Sequence, residues 1–420
     1  MTSWPIFPLG SKVRFLSGGT PSKDEPRYWT GDIPWVSSAE MVQRRIKNTE
    51  LHVSEDAAKN GSKLVPAKTV LVVVRGMSLA KEFRVAITQR ELTFNQDLKA
   101  LLPCSDLEPN FLFYYLHSQN TAIRDSASEA THGTKKLDMP VLDQWPLPLP
   151  SWGTQKKIAA ILSAYDDLIE NNRRRIALLE KMAEEIYREW FVRLRFPGHE
   201  QAKFEKGMPV GWREIELSEI AGVNLHSVKK GREPDSILYI DISAVSTNQM
   251  GKPIKLNFAE APGRARRLVG HGDLIWSSVR PGNRAYCLVL NPPDALIAST
   301  GFAVISPLGN VPFTYIHRVV TTESFVEQMV AVAKGAAYPA TSFEDFGKAK
   351  VLLPTQDLIV RFHNICEPLL LNADSLRKQC LALVKMRDAL LPRLISGKLA
   401  VDGLDIRFPP GMAEASAHAI

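Results

Sequence analysis

Two stretches of the chain repeat apolar residues at alternating spacings of four and three. The first begins within PLPSWGTQKKIAAIL and predicts a helix over residues 151–197. The second begins within VLLPTQDLIVRF and predicts a helix over residues 355–400. At about 1.5 Å per residue, each helix would reach roughly 50 Å. A heptad seam of this length leaves an apolar stripe in water unless the helix has a partner. We therefore expect an antiparallel coiled coil, in preference to each helix packing on its own globular neighbour.

The seam of this coiled coil is predicted from the heptad positions. Asn172 lies within it, where a polar residue either fixes the pairing of the helices or is tolerated at a wet position. Proline removes a backbone donor, so Pro368 and Pro392 predict kinks or interruptions in the second helix. The seam comprises Ile158, Leu162, Tyr165, Ile169, Asn172, Ile176, Leu179 and Ile186, and in the second helix Phe362, Leu369, Leu376, Leu383 and Leu390.

The regions outside these helices, residues 1–150 and 198–354, alternate short β-branched runs with turn residues. TVLVVV, SILYIDI, DLIWSSV and YCLVLN are typical of strands. EPNFLFYYLHSQNTAIRDSA and PFTYIHRVVTTESFVEQMVAVA each predict one helix. We expect an α+β fold in each region, with the strand order left open. Residues 401–420 are expected to form a disordered tail.

The two regions resemble each other in the order of their landmarks. TVLVVVRGMSLAK, FNQDLKALLP and HGTKKLDMPVLDQWPLPLP recur as DLIWSSVRPGNRA, ASTGFAVISP and KGAAYPATSFEDFGKAKVLLP, at an offset of roughly 201 to 205 residues. Each series then enters a long helix after Thr-Gln. The order and spacing predict a pseudo-twofold internal repeat, with two similar globular domains separated by the coiled coil.

The overall charge favours an anionic partner. The 420 residues carry a net charge of +7, which points to nucleic acid first and a membrane surface second. No run of eighteen apolar residues predicts a membrane span, and the N-terminus lacks signal-peptide features. The four cysteines show no Cys-x-x-Cys spacing, so we expect reduced thiols, no zinc site and a cytoplasmic protein.

Cationic residues near predicted strand ends and turns are the candidates for contacts with DNA. Arginine matches the two acceptors of guanine, whereas clustered lysines mostly bind phosphates. The alternative for each candidate is that its charge is simply solvated or forms a structural ion pair. Arg75 and Arg280 are expected at matched positions after a strand. The cationic candidates are Arg75, Lys81, Lys135, Lys136, Lys229, Lys230, Arg280, Arg284 and Lys334. Tyr338 is added because its ring can stack or its hydroxyl can form a hydrogen bond.

Further charged groups leave the choice between DNA, a partner protein and solvent open. These are the RARR segment with Arg264, Arg266 and Arg267, and the run Arg173–Arg175 on the first long helix. Ser37 and Ser38 are expected to cap a following helix, although these serines and Glu40 can also contact bases.

An enzyme is the main rival hypothesis. NPPD at Asn291–Asp294 approaches the Asn-Pro-Pro-aromatic motif of adenine methyltransferases, but Asp294 cannot stack on a flipped base. Because no glycine-rich cofactor loop precedes it, a turn between strands is expected instead. We expect no catalytic and no metal-ligating residue. A third hypothesis is an adaptor whose coiled coil joins two proteins without reading DNA.

Four segments together resemble the specificity (S) subunit of bacterial Type I restriction–modification systems. The resemblance implies two target-recognition domains, each reading one half of a split target in double-stranded DNA. It further implies that the chain lacks catalysis and binds no cofactor itself, and that its helices recruit two adenine-N6 methyltransferase (M) subunits, which use S-adenosylmethionine. Two restriction (R) subunits, which use ATP and Mg²⁺, can join this assembly. The segments are Ser17–Met41, Val73–Lys81, Leu147–Asn172 and Leu390–Val401.

Overall fold

The structure is a computed structural model that describes residues 4–130 and 133–409. The chain divides into two compact units. Unit 1 comprises residues 1–171 and 380–420, and unit 2 comprises residues 172–379. Each long helix contributes residues to both units, whereas every sheet belongs to one unit.

The helices of the described residues fall into two length classes. Two exceed 35 residues, and the others have ten residues or fewer. The helices are α1 Glu55–Asn60, α2 Pro109–Ser118, α3 Asn120–Asp125, α4 Met139–Asp143, α5 Trp152–Tyr187, α6 Phe313–Val319, α7 Glu323–Val332, α8 Phe343–Lys348 and α9 Gln356–Ile395.

Unit 1 contains the first thirteen strands of the described residues. They are β1 Ile6–Pro8, β2 Val13–Ser17, β3 Ile33–Val36, β4 Arg45–Ile46, β5 His52–Val53, β6 Val70–Val73, β7 Arg75–Gly76, β8 Val85–Thr88, β9 Thr93–Phe94, β10 Leu98–Pro103, β11 Ser128–Glu129, β12 Lys135–Lys136 and β13 Pro146–Pro148.

Unit 2 contains the remaining described strands. They are β14 Phe204–Glu205, β15 Met208–Pro209, β16 Arg213–Glu216, β17 Ala221–Val223, β18 Ser236–Ile240, β19 Val245–Ser246, β20 Gln249–Met250, β21 Ile254–Asn257, β22 Ala265–Leu268, β23 Leu274–Ser277, β24 Tyr286–Leu288, β25 Leu296–Ser299, β26 Phe302–Pro307 and β27 Lys350–Leu353.

The main sheets of the two units share one strand order. In unit 1 the order is β2-β10-β6-β8-β4, and in unit 2 it is β17-β26-β23-β24. All residues of β6 and β23 are buried, as expected for strands with a neighbour on each side. In both units a strand from the start of the domain also pairs antiparallel with the strand that precedes a long helix, β1 with β13 and β16 with β27. The predicted α+β fold and internal repeat are confirmed.

The two long helices pair antiparallel within unit 1. Asp166 of α5 forms an ion pair with Arg387 of α9, and three residues later the carbonyl of Ile169 lies 3.8 Å from the Sγ of Cys380. The residue numbers of successive contacts rise along α5 while they fall along α9, so the two helices run antiparallel. The seam residues Ile158 and Leu162 are fully buried in this unit.

Unit 2 shows the same direction of pairing. Glu180 of α5 forms an ion pair with Arg377 of α9, and the ring of Tyr187 lies 6.0 Å from that of Phe362. The helix α5 ends in a π-helical turn, Arg188–Val192, so the first long helix is shorter than the predicted 151–197. Asn172 is buried, and its amide nitrogen has no partner among the described residues. Asn172 therefore does not lie on a solvent-exposed face of α5.

The two prolines do not interrupt α9, which runs unbroken over 40 residues. Pro368 and Pro392 both lie on its exposed side. The carbonyl that each proline leaves unpaired can therefore be hydrated, and the ring is exposed to solvent. The prediction of an interruption was wrong because it ignored which face of the helix carries the prolines.

Each of the two predicted single helices is divided in the structure. Gln119 separates α2 from α3, and Val320–Thr322 separates α6 from α7. The Thr322 side chain accepts a hydrogen bond from the amide of Phe325, so it caps α7 and starts a new helix. Periodicity alone does not reveal such a restart, because the apolar spacing continues through it.

The start of the predicted disordered tail is packed on unit 1. Val401 is buried, and Phe408 packs on the unit 1 core with the ammonium of Lys156 5.0 Å from its ring centroid. The ammonium of Lys157 donates to the carbonyls of Asp402 and Leu404 at 2.7 and 2.8 Å. The prediction of disorder is therefore wrong for residues 401–409. Residues 410–420 lie outside the described residues.

Candidate nucleic-acid interface

In unit 1 the candidate residues Arg75, Lys135 and Lys136 lie side by side. The strand β7 leaves the buried strand β6 and pairs antiparallel with β12, which places Arg75 opposite Lys136 and Gly76 opposite Lys135. The amide of Leu137 donates to the carbonyl of Val74 at 2.8 Å and ties this small sheet to the end of β6. We call Arg75, Lys135 and Lys136 cluster 1.

The charges of cluster 1 are only partly compensated. The Lys136 ammonium lies 3.0 Å from a carboxylate oxygen of Asp138, and this hydrogen bond lowers the pKa of Asp138 below its usual value. Arg75 is exposed and has no ion-pair or hydrogen-bond partner for its side chain among the described residues. Lys81 is also exposed and follows the 3-10 turn Met77–Ala80. Residues 131–132, which stand between β11 and β12 in the sequence, lie outside the described residues.

In unit 2 the candidates Arg280, Lys334 and Tyr338 lie around one closed loop. The amide of Lys334 donates to the carbonyl of Ala340, and the amide of Ala340 donates back, both at 2.9 Å. Ala340 is also bridged to Val279, the residue before Arg280. The amide of Thr341 donates to the carbonyl of Ser278 at 2.9 Å. We call Arg280, Lys334 and Tyr338 cluster 2.

The two clusters occupy equivalent places in the repeat, but their arginines do not align. Ser278 and Thr341 lie 204 positions after Val74 and Leu137, and the bridge from Val279 to Ala340 repeats the pairing of Arg75 with Lys136. Arg75 therefore corresponds to Val279, and Arg280 corresponds to Gly76. The prediction that Arg75 and Arg280 are equivalent is therefore wrong by one residue. Matching the two arginines in the sequence does not reproduce the pairing of the strands.

Besides Lys81, three candidates lie outside the clusters. The guanidinium of Arg284 pairs with the Glu323 carboxylate at 2.6 Å, so its charge is compensated. Lys229 and Lys230 are exposed in a turn between β17 and β18, and no contact of the described structure links them to cluster 2. Arg173–Arg175 are exposed on α5.

The RARR segment is engaged within unit 2. Arg264 pairs with Asp241 at 2.8 Å, while Arg266 and Arg267 lie over the rings of Phe258 and Phe343 at 5.0 and 5.1 Å. These contacts favour a structural role for the segment over DNA binding.

Ser37 and Ser38 precede no helix, so their predicted capping role is wrong. The residues between β3 and β4 form turns. The Glu40 carboxylate instead accepts hydrogen bonds from the amides of Ser37 and Glu50 at 3.1 and 2.8 Å. Glu40 thus holds this turn together, which satisfies its charge inside the unit.

Within unit 1, a buried polar network that the sequence did not reveal connects α2 to the long helices α5 and α9. The hydroxyl of Tyr114 in α2 donates to the Asp166 carboxylate at 2.7 Å, and Asp166 is paired with Arg387. Burial, followed by the charges of Arg44 and Arg387, lowers the pKa of the nearby His117 to about 4. Arg387 falls on the heptad rhythm of the second helix, whereas Asp166 does not, so only its partners identify Asp166 as a core residue.

Other kinds of site find no support in the described residues. No group of His, Cys, Asp or Glu side chains there is arranged to hold a metal ion. Among the helices of residues 4–130 and 133–409, none is long and apolar enough to cross a membrane. The four cysteines are free thiols. Asn291 stands in the loop between β24 and β25 with a left-handed backbone, as expected for a turn.

Comparison with known proteins reveals similarity to one family of proteins. The sequence model of the Type I restriction modification DNA specificity domain matches residues 1–181. The Type I restriction enzyme MjaIX specificity subunit of Methanocaldococcus jannaschii is 26% identical over 96% of this chain and 94% of its own length. The chain resembles Type I specificity subunits along its length. This confirms the resemblance inferred from the sequence.

Two further similarities agree with it. The EcoR124I/EcoR124II specificity subunit of Escherichia coli is 30% identical over 42% of this chain and 45% of its own length. The crystal structure of a Type I S subunit from M. genitalium superposes with a TM-score of 0.60 at 17% identity, covering 93% of this chain and 96% of that one. These relatives are named specificity subunits and not methyltransferases or nucleases, which supports the predicted non-catalytic recognition role.

Proposed function

We propose that the chain is the DNA-recognition subunit of a Type I restriction–modification complex and reads a bipartite target in double-stranded DNA. The observation that carries this proposal is the repetition of one candidate site. In both units an arginine-bearing turn leaves the buried central strand and is tied to the segment before a long helix by an equivalent hydrogen bond. Two copies of one reader suit two half-sites.

The chemistry of the clusters suits duplex DNA. Cluster 1 combines an exposed arginine with two lysines, and cluster 2 combines an arginine, a lysine and an exposed tyrosine. Lysines contribute affinity through phosphates, whereas arginine on a stiff turn can discriminate between base edges. The binding free energy should therefore contain both a salt-dependent part and a sequence-dependent part.

The paired helices supply the spacer and the docking surface for partners in this proposal. We infer that α5 and α9 fix the separation of the two half-sites. We further propose that two M subunits bind the helices and bring S-adenosylmethionine, and that two R subunits using ATP and Mg²⁺ can join them. Exposed apolar side chains on the helices support a protein partner, namely Leu168, Leu178, Met182, Leu381 and Met386. The complex would act on cytoplasmic DNA.

The test of this proposal is selection of duplexes from a library in which two segments are randomised. Wild-type chain, purified with its methyltransferase partner, should enrich a two-part motif. Arg75→Ala should relax the preference at one position of one half only, by roughly 10- to 100-fold, because one bidentate base contact is lost. Relaxation in both halves would mean that Arg75 supports the fold.

The adaptor hypothesis makes the opposite prediction for the same library. A protein that joins partners without reading DNA would enrich no motif, and its affinity for duplex DNA would depend little on salt. That result would overturn the proposed function.

A further inference from the structure

Arg280 occupies a backbone position that costs conformational free energy. Its φ is 49° and its ψ is 63°, in the left-handed region that side-chain-bearing residues rarely adopt. The equivalent residue of unit 1 is Gly76, with a φ of 130°. Glycine is the least costly residue at such a turn. Unit 2 therefore carries an arginine where the fold itself favours glycine.

Four contacts hold Arg280 in this conformation. Its amide donates to the carbonyl of Pro339 at 2.7 Å, and its Nη2 donates to the carbonyl of Ala337 at 3.3 Å. Its guanidinium carbon lies 4.8 Å from the ring centroid of Tyr338. The bridge between Val279 and Ala340 fixes the residue before it. Backbone and side chain of Arg280 are thus both attached to the loop Lys334–Ala340.

The loop Lys334–Ala340 is itself closed. Two hydrogen bonds of 2.9 Å join its first and last residues, and Gly335 turns the chain with a φ of 108°. A Cβ at Gly335 would lie 3.0 Å from the carbonyl oxygen of Tyr338, so the loop is also tight there. The loop can therefore act as a stiff support for the guanidinium.

The guanidinium keeps most of its hydrogen-bonding capacity. Of the five N–H groups of arginine, one donates to Ala337, and Arg280 has no carboxylate partner among the described residues. Arg280 is exposed, and Tyr338 is 70% exposed. A planar donor pair that is held from one side and open on the other matches the O6 and N7 acceptors of guanine.

We propose that Arg280 reads a guanine in the half-site recognised by unit 2, and that Tyr338 is a positioning residue that holds the guanidinium through its ring. This inference rests on the proposed function, since it requires that the chain reads DNA. It differs from the expectation that Tyr338 itself contacts DNA. In unit 1 the arginine stands one position earlier, in β7, and the described structure shows no aromatic ring against it.

The test uses duplex selection with the full chain and its methyltransferase partner, now comparing substitutions of Arg280. Arg280→Gly should leave the stability of the fold unchanged or higher, because it removes the left-handed arginine, yet it should abolish a guanine preference at one position. The expected loss of discrimination is roughly 10- to 100-fold at that position. Arg213→Ala, a substitution of another exposed arginine of unit 2, is the matched control and should leave the motif unchanged.

Substitutions of Tyr338 separate positioning from direct reading. Tyr338→Phe keeps the ring and should behave as wild type, whereas Tyr338→Ala should weaken the same guanine preference that Arg280→Gly abolishes. The double substitution should be no worse than Arg280→Gly alone, since coupled residues are not additive. A change at a different base position on Tyr338→Ala would overturn the positioning role.

Two outcomes distinguish the failure of this inference from that of the proposed function. If wild type enriches no motif, the proposed function fails. If wild type enriches a bipartite motif and Arg280→Gly only lowers affinity uniformly while reducing the salt dependence, Arg280 contacts a phosphate and the guanine assignment is overturned.

Discussion

Within unit 1, individual buried charges join α2 to the paired helices α5 and α9. Asp166 and Arg387 are only 9% and 6% exposed, and each also bonds to a second group, Tyr114 or Asp388. Removing one partner of such a pair leaves the other charge buried, which costs far more than the loss of a surface pair. The stability of unit 1 should therefore be sensitive to neutralisation of Asp166 or Arg387.

We predict that Asp166→Asn lowers the free energy of unfolding by about 3 kcal/mol, because the Arg387 charge loses its buried partner. Asp167→Asn removes the carboxylate that pairs with Arg45, but Asp167 is 53% exposed, so its loss should cost under about 1 kcal/mol. Urea denaturation of the full chain measures both. Equal small losses would show that the Asp166 pair is not buried in solution.

We predict that His117 makes stability fall in mild acid. Burial lowers the pKa of folded His117 to about 4, from 6.5, so the unfolded chain binds the proton first. The free energy of unfolding therefore has its full value above pH 6.5. It decreases as the pH falls towards 4, by up to about 3 kcal/mol. The free energy of unfolding of His117→Gln, measured against pH, should lack this part of the decline. Identical pH profiles for variant and wild type would contradict the assignment.

At the residue scale the sequence located the candidate arginines but not their geometry. Arg75 and Arg280 were both singled out, and both lie in equivalent turns. The one-residue difference between them depends on which backbone groups pair, and side-chain identity does not encode this. The role of the Ala337 carbonyl was likewise unpredictable, because any residue type can supply a backbone acceptor.

At the scale of elements, the long helices were the most predictable feature. A heptad pattern sustained over many turns is a strong local signal, and it predicted both α5 and α9. The strand order was not predictable, because β2 and β10 are hydrogen-bonded although most of the domain lies between them in sequence. The restarts at α3 and α7 were missed. At α7 the Thr322 cap overrides the spacing of apolar residues, whereas α3 begins after Gln119 without a side-chain cap.

We predict that inserting seven residues into both α5 and α9, near Arg175 and Arg377, shifts the spacing of the DNA half-sites. One heptad keeps the seam aligned and adds about 10 Å, or about three base pairs of DNA. Methylation of duplexes with graded gaps by the assembled complex measures the shift. Insertion into one helix alone is the control, which should abolish activity because the seams no longer match. Activity of the double insertion at the original gap would contradict a spacer role.

At the scale of the whole molecule, the proposed recognition of a split target requires a duplicated domain. Four ordered landmarks in the sequence predicted a repeat, and the shared strand order of the two main sheets confirms it. The repeat is not perfect. In unit 1 a buried ion pair joins the two long helices, whereas in unit 2 Tyr187, Phe191 and Phe362 pack together there. Two units of one fold with different side chains suit the proposed recognition of two different half-sites.

The most direct test is methylation by the assembled complex of duplexes that carry both selected half-sites at gaps varied one base pair at a time. Duplexes with either half-site alone complete the series. The account predicts efficient methylation at one gap and a steep loss one base pair to either side, with little methylation of single half-sites. Efficient methylation at every gap, or of one half-site alone, would contradict a duplicated reader held at a fixed separation.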